Sequence, residues 1–215
     1  MTQKFQSFSR EKHVFSRDEY IDELLKDIVR FFNGTPIQPL PPVEQFIGAG
    51  VYAIYYTGQS PIYKEISQAN RLSYNVPIYV GKAVPSGWRQ ARAFQSSDGT
   101  ELYRRLHDHA KSIKAAKSSL TLSDFSSRFC IFEGASVGMI ACVEAKMIES
   151  YKPVWNSCID GFGNHDPGSG RYQQALSEWD SLHEGRKWAL KIKGERPDPD
   201  QVFNKVRDYL GAFKN

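Results

Sequence analysis

The sequence predicts an α+β fold, with a small three-stranded antiparallel sheet at its centre, helices flanking it, a helical arm before it and a helical extension after it. Three observations predict this. Segments dense in β-branched and aromatic residues recur at 50–57 (GVYAIYYT), 77–81 (PIYVG) and 125–132 (FSSRFCIF). Apolar residues spaced three and four apart are interleaved with them at 100–116 and 139–151. The central order is thus strand, strand, helix, strand, helix, without the regular alternation that builds a parallel sheet.

The elements follow in order. Ser16 and Glu19 fit a capping box. Ile21, Leu24, Leu25, Ile28, Val29 and Phe32 then recur at helical spacing, and Gly34 is a stop. Residues 35–48 (TPIQPLPPVEQFIG) hold four prolines and read as an extended linker. After the first strand, 58–76 is polar and irregular, and 83–99 is a second polar insert. The helix from Thr100 lines Leu102, Leu106 and Ile113 on one side. The helix from Met139 turns Ile140, Val143, Met147 and Tyr151 inward, and Pro153 ends it. Residues 156–171 are loop, Tyr172 to His183 reads as helix, and Asp198–Pro199 caps a last helix carrying Val202, Val206 and Leu210. Three regions result: an arm and linker at 1–47, a core at 48–160 with the two inserts, and an extension at 161–215.

Composition narrows the classes. The formal net charge of +4 permits a polyanionic partner without requiring one. The three cysteines, Cys130, Cys142 and Cys158, form no CxxC pair, so neither a disulfide framework nor a zinc site is expected. No apolar run approaches the ~20 residues of a membrane span, and the start lacks the apolar stretch of a signal peptide. The expectation is a soluble cytoplasmic protein.

Chemistry-bearing residues sit at ordered positions. Tyr52 and Tyr79 hold the same phase of two short strands, so their hydroxyls share a surface if the strands pair. Arg105 and His109 lie four apart on one helix face. Glu144 borders the apolar stripe of its helix, where a carboxylate needs a metal ion or a cationic side chain as partner. Taken singly, each has an ordinary structural reading as a packing tyrosine, a solvated helix face or a salt bridge.

Together, GVY at 50–52, YVG followed by Lys82, Arg105 and His109 on a helix, Glu144 on a helix, and Asn156 in YKPVWNS resemble the GIY-YIG nuclease superfamily in order and type over 48–160. The link between Tyr52 and Tyr79, and the 83–99 insert, are longer than usual there. They resemble the decorations of the type II restriction endonucleases in that superfamily. The resemblance implies hydrolysis of DNA phosphodiester bonds with one Mg²⁺ per site on Glu144, since one carboxylate with waters suits that ion. It implies that Tyr52 orients or deprotonates the attacking water with Tyr79 assisting, and that Lys82 or the metal favours the phenolate. Arg105 would hold the scissile phosphate, His109 would donate a hydrogen bond or relay a proton, and Asn156 would fix the geometry.

Base reading is expected from the inserts, with Lys64, Gln68, Asn70, Arg71, Arg89, Gln90, Arg92 and Gln95 as candidates. The basic stretch 186–196 is expected to grip the phosphate backbone. Cutting both strands of a palindrome implies a homodimer, and the restriction branch implies a GC-rich site of about six base pairs and a cognate DNA methyltransferase. Two other readings stay open at this level, a structure-specific repair or recombination nuclease and an inactive DNA-binding protein.

Overall fold

A computed structural model of the protein describes residues 8–85, 87–88 and 99–212. The elements run α1 (Arg10–His13), α2 (Asp18–Gly34), β1 (Gln38–Pro39), β2 (Ala49–Tyr56), α3 (Lys64–Ala69), β3 (Pro77–Ala83), α4 (Glu101–Ala115), β4 (Phe125–Phe132), α5 (Ile140–Tyr151), α6 (Val154–Ser157), α7 (Glu178–Leu182) and α8 (Pro199–Gly211). The sheet is antiparallel in the order β1-β4-β2-β3.

β2 is the centre of the molecule. All eight of its residues are buried, because helices cover both faces of the sheet. Strand alternation sends Tyr52, Ile54 and Tyr56 to one face, into a core shared with Leu102, Leu106 and Ile113 of α4 and with Val202, Val206 and Leu210 of α8. Val51, Ala53 and Tyr55 go to the other face, against Phe32 of α2 and Ile140, Val143 and Met147 of α5. Gly50 lets β4 approach, since any Cβ there would overlap the carbonyl of Cys130. The C-terminal segment therefore packs into the same core as the sheet.

Several expectations need correction. The sheet has four strands, not three, because Gln38 and Pro39, inside the proline-rich linker, pair with Ser127 and Ser126 of β4. Proline tolerates this place because β1 is an edge, where its missing N–H leaves no ladder bond unmade. Ser127 Oγ adds a hydrogen bond to the Pro39 carbonyl at 3.1 Å. Helix α2 begins at Asp18 with Arg17 at its N-cap and no side-chain cap, so the capping box does not form. Ser16 stands one residue too early and bonds the Asp18 carboxylate instead, at 3.1 Å. Of its apolar stripe, Ile21 and Leu24 remain exposed.

The helix expected from Tyr172 to His183 shrinks to α7, whose N-cap Ser177 accepts from Asp180 N–H. The residues before it spend their backbone groups elsewhere. Leu176 N–H donates to the Glu195 carbonyl at 2.8 Å, and Lys193 N–H donates to the Tyr172 carbonyl at 2.7 Å. The insert 58–76 is less irregular than its composition suggests, since it contains α3. The cysteines are free thiols, and among the described residues no helix is long and apolar enough to cross a membrane.

Candidate active site

The site gathers around the C-terminal half of β3, the strand at one edge of the sheet. Tyr52 pairs with Gly81, and Tyr79 with Ile54. The two tyrosines are therefore diagonal neighbours on the α4 face, with ring centroids 6.2 Å apart. Gly81 has a direct steric reason, because the Tyr52 hydroxyl occupies the space a Cβ at position 81 would need.

Helix α4 supplies the next two groups. His109 is 2% exposed, and its Nε2 lies 2.6 Å from the Tyr52 hydroxyl. Phe162 stacks on its ring at 4.6 Å. Burial, then the positive charge of Arg105, hold the imidazole well below the usual histidine range, so it is neutral. Of the two adjacent arginines, Arg105 turns inward and Arg104 stays exposed beside Glu101. Arg105 donates through Nη2 to the Gly163 carbonyl at 2.8 Å and meets His165 Nε2 through Nη1. Two adjoining grooves of about 260 and 300 Å³ open on Arg105 and His165.

The other face of the strand carries the acidic group. Lys82 pairs with Val51 and so points toward α5, where its ammonium binds the Glu144 carboxylate. Glu144 is 17% exposed and Lys82 37%, so the pair opens to solvent. Burial above all pushes both phenols up, and the Glu144 charge across the strand adds to it in the same direction. Tyr52, Tyr79, Arg105 and Glu144 thus converge on one strand end.

Burial is the largest influence on Tyr52, followed by Tyr79; together they raise its pKa well above the usual tyrosine range against the opposing pull of Arg105. Of the expectation that Lys82 or the metal favours a phenolate, the Lys82 half is corrected: Lys82 is engaged by Glu144, and the cation beside Tyr52 is Arg105.

Asn156 bonds to the backbone of β3 and to none of Tyr52, Tyr79, Arg105 or His109 among the described residues. Its Oδ1 accepts from Val80 N–H at 2.8 Å and its Nδ2 donates to the Val80 carbonyl at 2.9 Å. It acts as a one-residue strand partner on the open edge of β3, which fixes the strand bearing Tyr79, Gly81 and Lys82.

The insert candidates divide. Lys64, Gln68 and Arg71 are exposed and line a polar groove with Thr57 and Gln59, at the hairpin end away from Lys82. Asn70 is 2% exposed and cannot read a base. Its amide donates to the Tyr56 and Val76 carbonyls and accepts from the N–H groups of Asn75 and Val76, so one bond ties the insert to β2 and three close the insert on itself. Arg89, Gln90, Arg92 and Gln95 lie outside the described residues. Arg186, the first residue of the basic stretch, is 4% exposed and cannot grip DNA.

Phe162, Gly163 and His165 touch the site and were read only as loop. A weak signal existed in the run GFGNH, which sets an aromatic, a glycine and a histidine within five positions. Among the described residues no group of three His, Cys, Asp or Glu side chains could hold a metal. The donor set is one solvent-accessible carboxylate, which fits a hard cation that keeps most of its water.

The helix-flanked antiparallel sheet agrees with the α+β fold that the motif order led us to expect. Residues 44–210 of the 215 match the family model described as the Eco29kI GIY-YIG domain, and the chain belongs to that family, in the restriction-endonuclease branch of the superfamily. It is a family of type II restriction endonucleases. The match runs beyond residue 160 to include α7 and α8. Comparison with curated proteins gives no match.

Proposed function

We propose that this chain hydrolyses phosphodiester bonds of double-stranded DNA at a short, GC-rich palindromic site, working in the cytoplasm as a homodimer with one Mg²⁺ per active site and a cognate methyltransferase. The observation that carries the reading is the Tyr52–His109 hydrogen bond, set beside Arg105 and across one strand from Glu144.

Glu144 would hold the cation, which when bound neutralises the phosphate and eases departure of the 3′ oxygen. The protein's own groups do the rest. Arg105, kept inward by Gly163 and His165, binds the scissile phosphate and meets the charge that develops on it. Water attacks phosphorus while its proton passes to the Tyr52 oxygen, and the phenol's own proton moves to Nε2 of neutral His109. The bond from phosphorus to the 3′ oxygen breaks in the same displacement, the departing oxygen takes a proton from solvent, and His109 and Tyr52 return the extra proton to solvent after release. A buried phenol is a poor standing base, but this relay needs no free phenolate. Lys82 holds the Glu144 carboxylate in place until the cation competes for it.

The test is a digest of supercoiled plasmid and phage DNA by purified protein in Mg²⁺. Discrete fragments support the proposal, and their ends give the site. Cleavage confined to branched substrates would replace it with a structure-specific nuclease. No cleavage in Mg²⁺, Mn²⁺ or Co²⁺ would leave an inactive binder. Glu144→Ala is expected to abolish cutting while DNA binding stays measurable, and normal cutting by that variant would remove Glu144 as the metal ligand.

A further inference from the structure

Arg186 stands in a basic run, yet its environment is that of a core residue. Its guanidinium has five N–H groups, and all five are used. Nε donates to Asp180 Oδ1 at 2.6 Å and Nη2 to Asp180 Oδ2 at 2.5 Å. The remaining three bonds go to main-chain carbonyls of one loop: Nη2 to Gly161 at 2.9 Å, and Nη1 to Phe162 and Asn164 at 3.1 Å each. The rings of Trp179 and Trp188 each lie 4.6 Å from the guanidinium carbon.

The same loop faces the reacting groups on its other side. The carbonyl of Gly163 accepts from Arg105 rather than Arg186. A Cβ on Gly163 would stand 2.7 Å from the Tyr79 hydroxyl. Phe162 stacks on His109, and His165 meets Arg105. Loop 161–165 is thus a short bridge with a buried arginine on one side and a half-buried one on the other.

We propose that Arg186 is a positioning residue for DNA cleavage: clamped by Asp180, it fixes loop 161–165, and the loop fixes Arg105 and His109. The proposal rests on the nuclease reading above. A planar fork is required, because lysine can keep the charge opposite Asp180 but cannot reach three carbonyls and a carboxylate at once. Small errors in the placement of a phosphate-binding group are costly, since a shift of about 1 Å can slow catalysis about 100-fold.

The experiment uses the full chain and a duplex carrying the site mapped in the plasmid digest. Single-turnover cleavage in Mg²⁺ and affinity in Ca²⁺ are measured for the wild type, Arg186→Lys, Arg105→Lys and the double variant, each well below its melting temperature. Arg186→Lys is expected to slow cleavage by about 30-fold or more while affinity changes less than about 3-fold. In the Arg105→Lys background the same change is expected to cost less than about 3-fold, because the group it positions is already altered. Equal losses in both backgrounds, or wild-type cleavage by folded Arg186→Lys, would overturn the proposal. If Arg186→Lys does not fold, Asp180→Asn keeps one acceptor for the guanidinium and weakens the clamp. Slower cleavage at unchanged affinity supports the proposal, and an unchanged rate overturns it. Failure of the wild type to cut would instead bring down the nuclease reading itself, and this inference with it.

Discussion

The hydroxyl of Tyr52 occupies the space where a side chain at position 81 would begin. A methyl group there must displace either the phenol or the strand, so Gly81→Ala is expected to cut cleavage about 100-fold or more and to destabilise the fold by about 1–3 kcal/mol. Wild-type cleavage would show that the hydroxyl can move freely and still work. Tyr52→Phe keeps the ring and removes the oxygen, so loss of turnover is expected in a protein that still folds, destabilised by about 1–3 kcal/mol because buried His109 Nε2 loses its partner, and retained turnover would end the relay. The direction of the Tyr52 shift adds a kinetic signature. A standing phenolate base with a raised pKa would make the cleavage rate climb about tenfold per pH unit through neutrality. The relay to neutral His109 predicts a nearly flat single-turnover profile from about pH 6.5 to 9, above the depressed titration of the imidazole. A tenfold rise per unit would favour the phenolate.

At the scale of elements, two asparagines do the work of backbone. Asn156 satisfies both polar groups of Val80 on the open edge of β3, and Asn70 gathers four main-chain groups between β2 and the insert. Each such bond contributes about 1 kcal/mol, and buried groups left unmade cost more. Asn70→Ala is therefore expected to destabilise the protein by about 2–3 kcal/mol without weakening DNA binding at temperatures where it stays folded. A selective loss of affinity or of sequence preference would restore the base-reading role. These residues also mark where sequence reasoning worked and where it stopped. β2, β3, β4, α4 and α5 were legible because alternation and helical spacing are local, and the motif order placed Tyr52, Tyr79, Arg105, His109 and Glu144 before any fold was known. Asn70 was misread because a polar residue in a polar insert looks solvated, and its burial depends on Tyr56 and Val76 arriving from elsewhere. β1 was hidden by its prolines. The residues before α7 looked helical because their true partners, at 193–195, are some twenty positions away. Loop 161–165 had no periodicity to announce it, and its role exists only through Arg105 and Arg186.

For the whole molecule, a buried polar network joins the 58–76 insert and the turn after α4 to α6 and to the end of α7. Tyr63 bonds His183 Nε2 at 2.6 Å, Ser119 bonds His183 Nδ1 at 2.9 Å, and Trp155 donates to the Tyr63 hydroxyl at 2.8 Å. Burial holds His183 down to about 3. The unfolded chain, with an ordinary histidine value near ~6.5, binds a proton that the folded protein refuses. The stabilisation from keeping His183 neutral is therefore complete above about pH 6.5 and drains away as pH falls toward 3. Melting temperatures measured between pH 7 and 4 should fall, and His183→Gln, which keeps a neutral hydrogen-bonding side chain, should flatten part of that decline. An identical slope in the variant would show that carboxylates elsewhere account for the acid sensitivity.

The two margins of the sheet have a consequence for assembly. One margin is a two-residue strand containing a proline, and the other has its central peptide already matched by an amide side chain. Each margin thus interrupts, at Pro39 and at Val80, the row of N–H and C=O groups that ribbon-to-ribbon growth requires. Edge-to-edge strand pairing is therefore a poor route by which a second polypeptide could add to this sheet.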